Sequence, residues 1–330
     1  MTIGVNVNSG SSVTNEEQPA SKTRALEKLR RDMGAEFLKA LQDPRTVEVM
    51  LNADGQLWVE RLGEEMKVVG LLRSFKAEAI IRTVAGYHGK VITAESPIIE
   101  ATFPLDGSRF AGQLPPIVER PTFALRKKAA SIFTLEQYVE NGVMTQAQKE
   151  VLIDAVNEHK NILIIGGTGS GKTTLVNAVI HQMVVSNPAE RVFIIEDTGE
   201  IQCSAKNHVQ FYTTPEISMT ALLKATLRMR PDRILVGEVR GPEALDLLMS
   251  WNTGHEGGAA TLHANNARAG LDRLSMLISM HRDAPARVEP LIAEVVHIVV
   301  HIARTEGGRK VEEILKVEGY ENGEYVTTKL

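Results

Sequence analysis

Asn161-Ile162-Leu163-Ile164-Ile165-Gly166-Gly167-Thr168-Gly169-Ser170-Gly171-Lys172-Thr173 decides the reading of this chain. The first five residues form a short apolar run, the kind a parallel strand buried on both faces requires. The next eight match G-x-x-x-x-G-K-[ST]. From Thr173 to Met183, apolar residues at 175, 176, 179, 180 and 183 keep a helical rhythm. Strand, glycine-rich loop and helix in that order form a cradle for a polyphosphate. The backbone of Gly166, Gly167, Thr168, Gly169, Ser170 and Gly171 turns its N–H groups inward, and Lys172 adds a cation reaching the β- and γ-phosphates. The hydroxyl of Thr173 is placed for Mg²⁺, with Thr174 beside it at the helix start. The implied ligand is a nucleoside triphosphate with Mg²⁺. No G-x-G-x-x-G can be laid over these glycines, which argues against a dinucleotide site.

Outward from this loop, strand and helix alternate. Arg191–Glu196 and Arg233–Glu238 are apolar runs ending in acid, and Ala259–Leu262 is a shorter strand candidate. Alternating β and α predicts a mostly parallel sheet with helices on both faces. Before the loop, residues 128–158 hold two short helical patterns with Thr134 and Thr145 as caps. After it come a helix near 286–295 and strand-like runs at 296–303, 309–318 and 324–329, a terminal antiparallel extension.

The N-terminal part differs. Residues 1–22 are polar and aperiodic and read as a disordered tail. A helix is expected over about 23–42, strands at 46–51 and 57–62 around an Asn52–Gly55 turn, and a helix capped by Ser74 that stops at Gly86 or Gly89. Further strands are expected at 98–103, 108–114 and 120–126. The expected organisation is a tail over 1–22, a small α+β domain over 23–127 and an α/β P-loop domain of RecA type over 128–330. A chain of 330 residues suits two domains.

Bulk properties narrow the class. The hydrophobic content of 43% supports full cores, and a net charge of −4 excludes a nucleic-acid-binding polycation. Any direct contact with nucleic acid is left to a local basic patch or to partners. Cys203 is the only cysteine, so an intramolecular disulfide is impossible and a reducing compartment is the natural reading. No apolar run approaches the roughly 20 residues that span a bilayer, and the N-terminus lacks the basic-then-apolar order of a secretory signal. The expected location is cytoplasmic, with peripheral docking on a membrane complex open.

In open α/β sheets, ligands gather at the carboxyl ends of the strands. This draws attention to Glu196, Asp197 and Glu200 after one apolar run, Glu238 and Arg240 after the next, and His263 after the third. Phosphoryl transfer needs positioning, charge neutralisation and an oriented nucleophile. Glu238 is the candidate for orienting or deprotonating water. Glu196 and Glu200 are candidates for holding metal-bound waters or sharing the base role, and His263 for sensing the γ-phosphate.

Four motifs in fixed order resemble the secretion ATPase superfamily of type II and type IV secretion, type IV pili and conjugation. They are the Gly166–Thr173 loop, Ile195-Glu196-Asp197-Thr198-Gly199-Glu200, Leu235-Val236-Gly237-Glu238-Val239-Arg240 and Thr261-Leu262-His263-Ala264. Leu227–Arg233 also matches, and in the first domain so do Leu105–Phe110, Leu114-Pro115-Pro116 and Phe123–Arg126. The match is best with the branch serving conjugation and type IV secretion. The resemblance implies a homohexameric ATPase with nucleotide between its two domains, docked on the cytoplasmic face of an inner-membrane secretion or mating-pair complex. It implies that Arg109 and Arg126 contact the γ-phosphate, with Arg120 and Arg240 as weaker candidates. It also implies that the Gly-Glu at 237–238, standing where ordinary P-loop proteins carry Asp, disfavours direct metal ligation there and favours a catalytic role for Glu238 or Mg²⁺ held through water. A pilus extension or retraction ATPase and a P-loop small-molecule kinase remain the alternatives.

Overall fold

The structure is a computed structural model that describes residues 17–62, 64–128, 132–214 and 216–330. The chain divides into two compact units, Met1–Lys128 and Ala129–Leu330.

The first unit begins with α1 (Glu17–Gln42), which is broken at Gly34, where φ is 75°. Glycine tolerates that backbone without a Cβ penalty. The helix corrects the expected tail: residues 17–22 are helical, and the rest of that expectation lies outside the described residues. Then follow β1 (Thr46–Leu51), β2 (Gln56–Arg61), β3 (Lys67–Leu71), α2 (Ser74–Tyr87), β4 (Ile98–Thr102), β5 (Arg109–Gln113) and β6 (Thr122–Arg126). The strands form one antiparallel sheet in the order β3-β2-β1-β6-β5-β4. Alternation sends Val49, Leu51, Leu57, Val59, Phe110, Phe123 and Leu125 into a core with Leu29, Met33, Phe37, Ile80, Ile81 and Val84 of the helices. The Phe37 and Phe123 rings stack at 5.3 Å. Two expectations are corrected. Ser74 is the first helical residue rather than the cap; Arg73 holds the cap position and makes no side-chain capping bond. The edge strand β3 is additional to the sequence reading, which missed it because Val68 and Leu71 lie exposed on a two-sided edge.

The second unit opens with α3 (Leu135–Glu140) and α4 (Gln146–Asn157). Thr134 and Thr145 each close a full capping box, with Gln137 and Gln148 reaching back. Next are β7 (Ile162–Ile165), α5 (Lys172–Ser186), β8 (Val192–Glu196), β9 (His208–Tyr212), α6 (Met219–Thr226), β10 (Arg233–Val239), α7 (Glu243–Trp251), β11 (Ala259–Leu262), α8 (Ala267–Ser279) and α9 (Glu289–Val295). Three antiparallel-linked strands close the chain: β12 (Ile298–Thr305), β13 (Gly308–Glu321) and β14 (Glu324–Lys329).

The sheet order is β14-β13-β12-β7-β11-β10-β8-β9. The strands from β12 to β9 run parallel, and β13 and β14 add the antiparallel extension. Ile162 and Ile164 face a core built with α3, α4 and α5. Leu163 and Ile165 face the opposite core, built with α6, α7, α8 and α9. Burial on both faces is why these strands read as unbroken apolar runs. Among the described residues no helix is long and apolar enough to cross a membrane.

Candidate functional site

The site lies at the carboxyl ends of β7, β8, β10 and β11. Gly169 and Gly171 adopt φ of 70° and 101°, so the loop after β7 curls into the N-terminus of α5. Gly171 caps that helix without a side chain, and its first turn contains no acid. Its amides and dipole are therefore left for an anion. A methyl group added at Gly167 or Gly169 would meet nothing within 4 Å, which leaves an open cradle over the backbone. Gly166 is constrained differently: a Cβ there would stand 2.2 Å from the Ile302 carbonyl oxygen of β12. Arg309 of β13 supports the loop from the same side, its Nε donating to the Gly169 carbonyl at 3.3 Å. Sequence reading did not single out Arg309, because its strand is distant in the chain.

Lys172 is 8% exposed. Its ammonium donates to the carbonyls of Gly166 and Gly167, each at 2.9 Å, and stands 3.2 Å from His263 Nδ1. His263 Nε2 lies 3.0 Å from Glu238 Oε1. One tautomer satisfies both contacts: Nε2–H donates to the carboxylate while Nδ1 accepts from the lysine. Glu238 Oε2 accepts from Arg240 Nη2 at 2.8 Å, and Arg240 Nη1 donates to Asp197 Oδ2 at 3.2 Å. Thr213 Oγ1 donates to Asp197 Oδ1 at 2.7 Å. A continuous polar line thus runs from the phosphate loop to the acidic loop after β8.

Electrostatics sets the charge on this line. Burial pushes the Glu238 carboxyl up, but the hydrogen bond and charge of Arg240, with the Lys172 ammonium nearby, hold it below the usual carboxylate range. The Glu238 hydrogen bond raises the Arg240 guanidinium in turn.

The other acids occupy distinct places. Glu200 Oε2 accepts from Thr173 Oγ1 at 3.3 Å, so a carboxylate and a hydroxyl meet where the helix begins. Such oxygen donors suit a hard divalent cation. Glu196 is 3% exposed, and its oxygens accept from the backbone of Glu200 and Ile201 and from Gln210. Burial pushes its carboxyl up to about 7. It faces the protein interior, not the open cradle, which corrects its placement among groups reaching metal-bound water. Gln210 of β9 and Asn177 of α5, which tie down the loop after β8, were missed because only the tertiary fold brings them there; Glu243 of α7, whose carboxylate accepts the Arg240 and Gly241 amides at 2.8 Å, was missed although that contact is local.

Arg109 and Arg126 belong to the first unit, where β5 and β6 pair them in register, on the sheet face opposite the helices. Arg120 lies on the exposed turn before β6.

A G-x-x-x-x-G-K-T loop on a mostly parallel sheet, with acids and a histidine at neighbouring strand ends, defines a protein of the P-loop class with a mixed α/β fold. Residues 32–318 match the family described as Type II/IV secretion system protein, and the chain belongs to that family. It is 47% identical over 309 residues to a probable conjugal transfer protein TrbB of Sinorhizobium fredii, covering 94% of each chain. It is 44% identical over 310 residues to the conjugal transfer protein TrbB of Rhizobium radiobacter, covering 94% of this chain and 95% of that one. Among solved structures, the pilus retraction motor PilT with bound ADP shares the fold at a TM-score of 0.59, with 20% identity over 89% of this chain and 81% of that one.

Proposed function

We propose that this protein hydrolyses ATP as a homohexamer and that the cycle powers conjugal transfer or type IV secretion. The observation that carries this reading is the line Lys172–His263–Glu238, which puts a phosphate-binding cation and an ionised carboxylate on the two nitrogens of one imidazole. The two relatives named for conjugal transfer match at 47% and 44% over 94% of the chain, which favours conjugation over a pilus motor.

The amides of the loop and the α5 N-terminus hold the β-phosphate. Lys172 exchanges its Gly166 and Gly167 carbonyl partners for phosphate oxygens. Thr173 with Glu200, and Glu238 through water, would hold Mg²⁺, which neutralises charge on the phosphates when bound. Glu238, held ionised, orients the attacking water and accepts its proton. Water then adds to the γ-phosphorus as the bond to the β–γ bridging oxygen breaks, releasing ADP and phosphate. His263, released by Lys172, reports whether the γ-phosphate is present. Arg109 and Arg126 supply cations from the first unit, and the protein works at the cytoplasmic face of the inner membrane with secretion or mating-pair proteins.

Lys172→Ala tests this. Phosphate release should fall by at least about 100-fold with an unchanged circular dichroism spectrum. Full turnover in the variant would refute the site. Light scattering with and without nucleotide tests the hexamer.

A further inference from the structure

Glu196 ends β8 beside the site, yet neither carboxylate oxygen is offered to it. Oε2 accepts the backbone N–H groups of Glu200 at 2.8 Å and Ile201 at 3.0 Å, and Oε1 accepts from Gln210 Nε2. The same Gln210 nitrogen donates to the Ile201 carbonyl at 3.1 Å. From the other side Asn177, 2% exposed on α5, accepts from Gln202 N–H at 3.0 Å and donates to the Glu200 carbonyl at 3.3 Å. The backbone on both sides of Glu200 is thereby fixed by three buried or half-buried side chains. These belong to β8, β9 and α5, and α5 starts at Lys172 itself.

The neighbouring strand makes room for this arrangement. β10 pairs with β8 so that Val236 lies opposite Ile195, which brings Gly237 beside Glu196. A Cβ on Gly237 would stand 2.8 Å from the Glu196 Cβ, closer than such atoms approach. The Gly237 carbonyl is held by Thr261 Oγ1 at 2.6 Å, so the strand cannot simply slide away. Glycine at 237 is therefore the partner that lets a full carboxylate lie flat under the acidic loop.

We infer that Glu196 is a positioning residue, buried beneath the acidic loop, that sets the Glu200 carboxylate against Thr173 by anchoring the Glu200 and Ile201 amides. It acts through Glu200 and touches neither phosphate nor water. The inference rests on the phosphate-binding reading of the Gly166–Thr173 loop.

The test pairs two measurements on full-length Glu196→Gln and Glu196→Ala: amide hydrogen exchange over residues 197–202, and steady-state phosphate release from ATP. A glutamine oxygen still accepts both amides, and Gln210 can flip so that its oxygen accepts from the new amide nitrogen, so Glu196→Gln should keep their protection and hold kcat within about 3-fold of wild type. In Glu196→Ala, exchange at Glu200 and Ile201 should quicken by at least about 10-fold, and kcat should fall about 30-fold with KM nearly unchanged. If Glu196→Gln is as inactive as Glu196→Ala while its loop stays protected, the carboxylate acts on the reacting groups and the inference is overturned. Unchanged exchange in Glu196→Ala overturns it as well. Should Glu196→Ala fail to fold, Glu196→Asp decides, because it keeps the charge but draws the carboxylate back by one methylene: faster exchange at Glu200 and Ile201 supports the anchor, and wild-type exchange sinks it. A wild type that releases no phosphate would defeat the proposed function alone, since the exchange measurement needs no turnover.

Discussion

Glu238 and Arg240, two residues apart at the end of one strand, share a 2.8 Å hydrogen bond that keeps a half-buried carboxylate charged. A base must be ionised to work, so activity is lost as pH falls through its pKa. Because the Glu238 pKa lies below the ordinary value, ATP turnover of the wild type should show no loss from this group near neutrality. Arg240→Ala removes the largest lowering influence and leaves burial, which raises the pKa. The acidic limb of the kcat profile should move toward neutral pH, so that the deficit relative to wild type grows as pH falls. Phosphate release measured from pH 5 to 8 checks both. An unmoved limb would remove Arg240 from this role.

Glu196 gives a stability prediction with the opposite sense. Its folded pKa is raised from 4.5 to about 7, chiefly by burial. Between those values the native state holds a proton that the unfolded chain has already released. Stability is therefore fully favoured at low pH by this group and declines as pH rises through the window, flattening above about 7. At 1.36 kcal/mol per unit, the loss is about 3 kcal/mol across the window. Glu196→Gln has no such proton and should lack that component of the slope. Denaturant unfolding at pH 5, 6 and 7, without metal or nucleotide, would reveal it. Parallel slopes in the two proteins would contradict the burial argument.

The same contrast between local and assembled features marks what the sequence discloses. Strands β7, β8, β10 and β11 are visible because burial on both faces forces apolar runs, and Thr134 and Thr145 are visible because a capping box is local chemistry. The edge strands β3 and β9 are only partly buried and leave no such trace. The phosphate loop and the strand-end acids can be picked out from spacing. The distinction between Glu196 facing inward and Glu238 facing the cradle cannot, since both end apolar strands in the same way. It depends on Gln210, Asn177 and Gly237, which only the folded sheet brings together. Ser74 misled for a related reason: it has the composition of a cap but sits one residue inside the helix.

Arg109 and Arg126 face each other across β5 and β6, with Glu48 of β1 next in the row. Like charges directly opposite one another destabilise a strand pair, by about 0.2–1 kcal/mol, and Glu48 offsets part of that. Under the proposed function, Arg109→Gln should therefore lower ATP turnover about 10-fold or more while leaving thermal stability equal or slightly higher. Phosphate release and a melting curve on the same sample provide the check. Full activity, or a large stability loss, would assign the pair to the structure of the first unit.

The most costly single substitution is expected far from the phosphate loop, at the start of β10. Arg233 is fully buried. It donates to the Glu190 carboxylate through Nε, to the Gly257 carbonyl at 2.9 Å and to the Val156 carbonyl at 3.1 Å. Glu190 also pairs with His159 Nε2 at 2.7 Å. Truncation to alanine would leave two buried carbonyls unpaired, take the guanidinium from the Glu190 carboxylate and leave a cavity, at a cost of about 3–5 kcal/mol. Arg233→Ala with Glu190→Gln removes the uncompensated charge and should recover part of the loss, so the two substitutions should not be additive. The chain has two tryptophans, and Trp251, fully buried, packs in the second unit. In a Trp58→Phe background its fluorescence follows that unit alone during urea unfolding. A loss below about 1 kcal/mol for Arg233→Ala would mean that water reaches the guanidinium site, contrary to its burial.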